Sequence, residues 1–575
     1  MRHLRFLPLL LLTVPCLAGT VTGHVFLDTN GDGQWQAADQ PCAGALVTDG
    51  LTVVATAADG AYVLDSPDGY QVISVENPPQ TWPTHGFWRG VTVGPATADF
   101  PLRAQEQSLP FYFVQGTDLH TRPDVDAQMA HYVTAINSLP VPLAFVVHTG
   151  DLVVDTCARD VPAARALFDT YIRQVAALKA PLFNVPGNHE HVSWRLDSFD
   201  PEAPGVGKSM YRELLGPMVY SFNYAGVHFV ALDGTDLVNG KLAYSMPASC
   251  VEWLRRYVAH IPVTDRMVIL IHEPLHALPQ RAAVEEVLAD RTVMLTLSGH
   301  WHSLARAPVA GGVEIVAGQT SYAWHGNPGG FDAMAYNVVR ITADGFESAM
   351  GDWAERYPVT VAEPALRALL DKPLTVRAHF LDLGSEVRSA SIALGSMPAV
   401  PAALGADGLY RTATATLDPA QLPDGFHDLT ITLVGTGEPF VERQPRLVMS
   451  GNEEAFNAVG PAVLSLRLQK VNAANQILLN GQPLATMPAN AANNQVLQMT
   501  VPPERLRRLN VIEVESAELV DGVGYDDFSV DQVSLTYGGK VYRDPRFVGG
   551  GSASVTNITR ASRGVCYVDL GYQSR

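Results

Sequence analysis

A mixed α/β domain set between all-β modules is the fold class this 575-residue sequence predicts, and three features of the text predict it. Over residues 105–355, apolar strand-like runs alternate with segments of helical periodicity and then give way to paired strands, a mixture that fits two packed sheets flanked by helices. On either side, short alternating runs cut by Asp/Gly turns read as β-sandwiches. Between Asp118 and His302, clusters of Asp, Asn and His each close an apolar run, at the carboxyl edge of strands where open α/β sheets collect ligands.

Taken in order, Met1-Arg2-His3-Leu4-Arg5 is basic, residues 6–17 are apolar, and Cys16-Leu17-Ala18 ends on small residues, so residues 1–18 read as a signal peptide. The run is too short and too interrupted by proline to span a bilayer comfortably, and no other segment is apolar for long enough to cross one. The expectation is an exported protein, periplasmic or extracellular, with no transmembrane segment. Cys16 raises the question of lipidation, but Thr13-Val14-Pro15 before it fits a lipoprotein signal poorly.

Residues 20–104 carry strand-like runs at 20–27, 45–48, 52–55 and 61–64, separated by Asp/Gly turns. The stretch is similar to the immunoglobulin-like repeat modules of bacterial surface proteins. Within it, Asp28-Thr29-Asn30-Gly31-Asp32-Gly33 followed by Asp39 places oxygen side chains at calcium-loop positions 1, 3, 5 and 12, with Gly at 6 for the sharp turn. A structural calcium at Asp28, Asn30, Asp32 and Asp39 is one expectation. Position 12 is Asp rather than the longer Glu, so a polar turn that binds nothing is the other.

In residues 105–355, Met129, Val133 and Ile136 recur at helical spacing, as do Phe168, Ile172, Val175 and Leu178. A strand at 220–224, a turn at Ala225-Gly226 and a strand at 227–232 follow. The polar clusters are Asp118-Leu119-His120, Gly150-Asp151, Pro186-Gly187-Asn188-His189-Glu190, Ile271-His272-Glu273 and Gly299-His300-Trp301-His302, and they contain no Cys. Asp, Asn and His offer hard oxygen and borderline nitrogen donors, which suit manganese, iron or zinc. They are more donors than one ion needs, and a two-metal site is the natural reading.

The ordered set D-x-H, G-D, G-N-H-E, H and G-H-x-H resembles the calcineurin-like metallophosphoesterases, over roughly residues 110–345. The resemblance implies a four-layer αββα sandwich. It also implies that Asp118, His120 and His302 hold one metal, that Asn188, His272 and His300 hold the other, and that Asp151 bridges them. His189 would stand unligated near the leaving group, as the catalytic residue. No ligand position departs from the family pattern. The loop Tyr322-Ala323-Trp324-His325-Gly326-Asn327 is either a wall of the substrate pocket or a plain surface loop.

Beyond about residue 356 the Asp/His clusters stop. Alternating runs at 374–380, 410–416 and 429–433, with a turn at Leu422-Pro423-Asp424-Gly425, read as a second immunoglobulin-like sandwich, to about Ser450. Residues 455–575 repeat the β signature at 477–481 and 511–515 and faintly resemble galactose-binding-like jelly rolls. Sugars are usually gripped by exposed aromatics, and none of the eight tryptophans lies beyond Trp353, which favours a structural accessory role over carbohydrate binding.

Composition narrows the function. A net charge of −19 argues against a nucleic acid or an anionic membrane as a tight partner, since both need a basic footprint. Neither a G-x-S-x-G elbow nor a Walker loop is present, so acyl transfer and nucleotide-driven chemistry lack support. Cys42, Cys157, Cys250 and Cys566 follow the signal run; a Cys157–Cys250 bridge is one expectation and buried thiols the other. The function these features suggest is an exported binuclear-metal phosphoesterase, cleaving small or cell-envelope phosphate mono- or diesters with metal-activated water. The alternative is a cell-surface β-module adhesion protein with a vestigial metal site. Oligomeric state is not legible.

Overall fold

The computed structural model describes residues 18–320 except 68, 94–95, 202 and 303, residues 335–353, and residues 357–570 except 358, 364–368, 371–372, 419–421, 423–424, 450–455, 518–525, 527, 545–550 and 556–562. The signal run 1–17, the loop 322–327 and the centre of the turn at 423–424 lie outside the described residues. The chain divides into two compact units, one ending at about residue 355 and the other beginning at 356. Among the described residues no helix is long and apolar enough to cross a membrane.

The first unit opens with two small sheets. Strand Ala18–Leu27 is the spine of one, pairing antiparallel with Ala61–Pro67 and parallel with Phe100–Ala104. The other runs in the order Val53–Ala55, Leu46–Thr48, Gly69–Glu76, Trp88–Val93. Alternate residues of these strands, among them Val21, Val25, Val47, Leu64, Ile73 and Phe100, close the core between them.

Two larger sheets follow in the same unit. The first has the order Leu182–Val185, Leu143–Thr149, Phe111–Gly116, Ala335–Ile341, Phe346–Asp352, with its first three strands parallel. The second has the order Tyr220–Tyr224, Val227–Ala231, Arg266–Leu270, Thr292–Ser298, Gly312–Val316, Ala305–Val309. Their inner faces meet through Phe113, Phe145, Val147 and Phe183 on one side and Phe222, Phe229, Val268 and Leu297 on the other. Phe183 stacks on Phe222 at 3.7 Å between centroids, and Phe145 meets Phe222 edge-on at 5.1 Å.

Period-2 alternation sends the next residues outward. His148, between the inward Val147 and Thr149, is held between the hydroxyls of Tyr132 and Tyr171, from helices Asp126–Asn137 and Val161–Val175, at 2.9 and 2.8 Å. Met267, Ile269 and Ile271 face helices Ala248–Val258 and Arg281–Val287 across a second core that holds Trp253 and Leu254. The helix 161–175 departs from the sequence expectation in one respect. Ile172 is 38% exposed while Tyr171 is fully buried, and Leu178 lies beyond the helix end. Phe168 and Val175 stay on the buried face, and Tyr171 takes the place expected of Ile172, its hydroxyl 2.8 Å from His148 Nδ1.

The small sheets are tied to the large ones by side chains. Trp82 enters the core between the large sheets, edge-on to Phe183 and Tyr224. Glu76 accepts from His228 Nδ1 and the Tyr257 hydroxyl, each at 2.6 Å, and Trp253 Nε1 donates to Thr48 Oγ1 at 2.9 Å. The expected Cys157–Cys250 bridge is not formed: both are buried free thiols, as are Cys42 and Cys566. Cys157 lies in the turn Thr156–Ala158 and Cys250 on the helix Ala248–Val258, in the core behind the second sheet.

Among its described residues the second unit is built of β-strands, with one short 3-10 turn at Pro503–Arg505. An eight-strand ladder, including Leu374–Leu381, Tyr410–Leu417 and Gly425–Val434, closes on a core of Val376, Phe380, Ile392, Leu417 and Ile431. A five-stranded and a four-stranded sheet then share a core of Leu464, Leu466, Ile477, Ile512 and Leu535.

Candidate metal centre

The polar clusters lie just past the carboxyl ends of strands in both large sheets. Asp118 and His120 follow Phe111–Gly116, Asp151 follows Leu143–Thr149, and Asn188 and His189 follow Leu182–Val185; His272 and the pair His300 and His302 come from Arg266–Leu270 and Thr292–Ser298 of the facing sheet. Asp118, His120, Asp151, His300 and His302 all take left-handed backbone, with φ of 51°, 44°, 48°, 68° and 54°. Such a conformation costs roughly 1–3 kcal/mol per non-glycine residue and persists where the surroundings over-determine it. Here it turns each side chain out of its strand's line and into one cluster.

Close packing explains the motif glycines. A Cβ at Gly187 would stand 2.3 Å from the Asp151 nitrogen and 2.5 Å from its Oδ1, and one at Gly299 would stand 2.0 Å from Thr117 Oγ1. The clusters therefore interlock through bare backbone.

The distances define two overlapping groups. Ligand atoms of Asp118, His120, Asp151 and His302 lie within 4.8 Å of one another, as do those of Asp151, His272 and His300, with Asp151 common to both. Asp118 Oδ1 is 3.2 Å from His302 Nε2 and 3.9 Å from His120 Nε2, and Asp151 Oδ2 is 3.1 Å from His272 Nε2. His272 Nδ1 sits 2.8 Å from the Thr149 carbonyl, which sets its Nε2 toward the cluster. Asn188 follows Gly187 in the same turn and is buried.

Whether a cation suits this donor set is answered by its bare atoms. Asp118 Oδ2 accepts from Thr117 Oγ1 and the His300 backbone N–H, at 2.9 and 3.0 Å. Asp118 Oδ1, Asn188 Oδ1 and His272 Nε2, by contrast, are buried with no hydrogen-bond partner among the described residues. Buried acceptors left bare are costly, at about 1–3 kcal/mol each, and cations among them remove that cost. The electrostatics show the two buried carboxylates drawing positive charge into the cluster. Burial opposes charge on His272, but Asp151 and Asp118 outweigh it and hold the imidazole well above its usual range. Burial likewise opposes charge on Asp151, yet His189 and His272 hold it well below the carboxylate range. Burial pushes His120 down to about 3 and, with repulsion from His272, His300 down to about 4, so both present neutral imidazoles.

His189 stands beside the cluster with its ring oriented. Its Nδ1 accepts the Asp155 backbone N–H at 2.8 Å and lies 3.5 Å from Asp155 Oδ1, while Nε2 is 3.7 Å from Asp151 Oδ2. With Nδ1 accepting, Nε2 carries the proton and points to the cluster. Asp155 also stands with Cys157 and His189 in a third donor group, but its own N–H occupies the imidazole nitrogen they share.

Two contributors escape a reading of the sequence. Glu190 accepts backbone N–H groups from Gly187, Asp151, Leu152 and Val153, at 2.7, 3.0, 2.8 and 3.1 Å, and so clamps the loop that presents Asp151. Burial and the Asp151 charge push its carboxyl up to about 8, against the pull of those N–H groups. Asp155, the partner of His189, is one Asp among many by sequence; its left-handed φ of 49° is what aims its N–H. The adjacency of Glu190 to Asn188-His189 was the available signal for the first, and there was none for the second.

The loop of Asp28, Asn30, Asp32 and Asp39 is separate and mostly exposed. Asp28 accepts from the N–H groups of Gly31 and Gly33, Asn30 from Asp32, Asp32 from Gln34, and Asp39 from Thr29 and Gln36. These oxygens already have backbone partners.

Comparison with known proteins bears on the large sheets. Residues 111–304 match the model of the calcineurin-like phosphoesterase family. No curated protein matches the chain. Among solved structures, a conserved uncharacterized protein from Streptococcus pneumoniae TIGR4, described as a predicted phosphoesterase, is 11% identical, with 43% of this chain and 92% of that one covered at a TM-score of 0.22. Phosphopantetheinyl hydrolase from Mycobacterium tuberculosis is 14% identical, with 36% and 90% covered at a TM-score of 0.23. Vps29 from Entamoeba histolytica in complex with zinc is 13% identical, with 42% and 99% covered at a TM-score of 0.20. The family match coincides with the strands that converge on the Asp/His cluster, and the chain carries a calcineurin-like phosphoesterase domain over residues 111–304.

Proposed function

We propose that this protein is an exported phosphoesterase with a binuclear metal centre, built on the four-layer αββα arrangement that its paired sheets and flanking helices suggest. The observation that carries the reading is the sharing of Asp151 between two ligand groups, beside three bare buried donor atoms. Asp118, His120 and His302 would hold one ion, Asn188, His272 and His300 the other, and Asp151 both. Manganese, iron or zinc would suit these donors. When bound, two such ions lower the pKa of water to near neutrality and neutralise phosphoryl oxygens.

The chain's own residues supply the rest. His189 presents a proton on Nε2 toward the cluster, where a departing alkoxide needs one. The Asp155 backbone N–H keeps that proton on the correct nitrogen by donating to Nδ1, and Glu190 fixes the loop on which Asp151 and Asp155 both lie. The test is parallel turnover of an aryl phosphate monoester and diester with added manganese, before and after chelation. We expect chelator-sensitive hydrolysis; chelator-insensitive activity, or none with any metal, overturns the reading.

We also propose a structural calcium at Asp28, Asn30, Asp32 and Asp39, supported by the calcium-loop spacing. Millimolar calcium should then raise the melting temperature of the full chain, and a D28A/D32A variant should not respond. An unchanged wild-type melting curve makes the loop a plain turn.

A further inference from the structure

We propose that Arg195 receives an anionic oxygen of the substrate at the mouth of the metal cluster and thereby makes dianionic phosphate monoesters the preferred substrates over diesters. The inference rests on the phosphoesterase reading above.

Arg195 sits in the turn that follows Gly187-Asn188-His189-Glu190, its backbone N–H bonded to the Cys157 carbonyl at 2.7 Å. Its side chain spans two residues that touch the site. Nη1 lies 3.7 Å from Asp155 Oδ1, the carboxylate 3.5 Å from His189 Nδ1. Nη2 donates to the Tyr244 hydroxyl at 3.2 Å, and the Tyr244 ring meets His300 edge-on at 4.4 Å between centroids. The guanidinium is thus strung between the proton-bearing histidine and a proposed ligand of the second metal.

The support for this placement is built into the fold. Tyr244 ends a two-stranded ribbon, Thr235–Val238 and Lys241–Tyr244, that among the described residues forms a sheet of its own. Its turn, Asn239-Gly240, has φ of 51° and 72°, the left-handed pair that tight hairpins require. The ribbon thus carries Tyr244 to His300 independently of the large sheets.

Arg195 also has donors to spare. A guanidinium offers five N–H groups, and among the described residues this one makes a single side-chain hydrogen bond, to Tyr244. The Asp155 contact, at 3.7 Å, is longer than a hydrogen bond, and the side chain is 36% exposed. Nearby Lys208 differs: its Nζ is bonded to Asp233 at 2.6 Å and to the Thr235 carbonyl at 3.0 Å, so its charge is spent. A phosphate monoester at neutral pH carries close to two negative charges and one more anionic oxygen than a diester, where that oxygen is esterified. A planar fork with open donors matches that additional oxygen and has less to offer a diester.

The experiment uses the full chain loaded with manganese, as wild type, R195Q and R195K, with metal content and melting temperature measured for each. Inorganic phosphate affinity is read by titration calorimetry, and kcat and KM are read on an aryl phosphate monoester and diester. In R195Q, phosphate affinity should fall about 10- to 100-fold, and monoester kcat/KM should fall at least about tenfold more than diester kcat/KM, mainly through KM. R195K keeps the charge without the fork and should lie between the two. Unchanged phosphate affinity in R195Q, or equal losses on both esters, overturns the proposal and reduces Arg195 to a support for Asp155 and His189. If R195Q does not fold, a wild-type phosphate affinity in R195K, together with an unaltered ratio of the two esters, overturns it equally. Should the wild type turn over neither ester, the phosphoesterase reading fails, and the phosphate titrations still decide for or against Arg195.

Discussion

His189 has one ring nitrogen committed to the Asp155 N–H and the other aimed at Asp151, so its role can be separated from metal binding. His189→Ala should keep its metals and lose turnover by roughly 10²- to 10⁴-fold for esters with basic leaving groups, and less for an activated aryl group that departs unaided. Steady-state rates on both substrates, beside elemental analysis, check this; a variant that loses a metal, or loses equally on both, contradicts it. At this scale the candidate ligands Asp118, His120, Asp151, Asn188, His272, His300 and His302 could be named because each residue ends an apolar run and the motifs come in order. Asp155 was not, because its contribution is a backbone N–H aimed by local φ, a property that no residue type announces.

Among the elements, the loop from Gly150 to Asp155 depends on a residue 35–40 positions away in the sequence. Glu190 satisfies the N–H groups of Asp151, Leu152 and Val153 along with that of Gly187. Glu190→Ala leaves them buried and unpaired and should destabilise the protein by about 2–5 kcal/mol, read from chemical denaturation, with metal affinity falling in parallel. A variant of wild-type stability and metal content would show the clamp to be dispensable. Strands and turns such as Ala225-Gly226 were readable from alternation and turn residues, and both turn positions take left-handed φ, 51° and 77°. The ribbon Thr235–Tyr244 was passed over, although Asn239-Gly240 between two short alternating runs is a hairpin signal; its strands are half-exposed and carry little apolar contrast.

Over the whole molecule, the docking of the small N-terminal sheets on the large sheets rests partly on buried charge. Glu76 accepts from His228 and Tyr257, and His228 Nε2 lies 3.3 Å from Asp265. Burial opposes ionisation of both groups, but Glu76 raises the His228 imidazole and His228 lowers the Glu76 carboxyl. The raised His228 contributes stability that is fully present below its unfolded pKa and is lost as pH rises through the folded value. The lowered Glu76 contributes stability present above its unfolded pKa and lost as pH falls through the folded value. Between the ordinary glutamate and histidine ranges both contributions are in place. Melting temperature should therefore fall more steeply for wild type than for His228→Gln as pH rises from about 6 to about 9, and parallel curves would contradict the assignment. Sequence alone separated the β-rich flanks from the mixed centre. It could not show that Glu76 and Trp82 of the flank reach into the centre, because long-range partners leave no local pattern.

All of this turns on the two ligand groups holding an ion each, with Asp151 between them. The direct measurement is elemental analysis of purified, metal-reconstituted protein beside single-ligand variants. Wild type should approach about two equivalents of transition metal per chain, and Asp151→Ala should lose more than any other single variant, because it alone serves both groups. A stoichiometry of one, with Asp151→Ala unaffected, would contradict the binuclear centre.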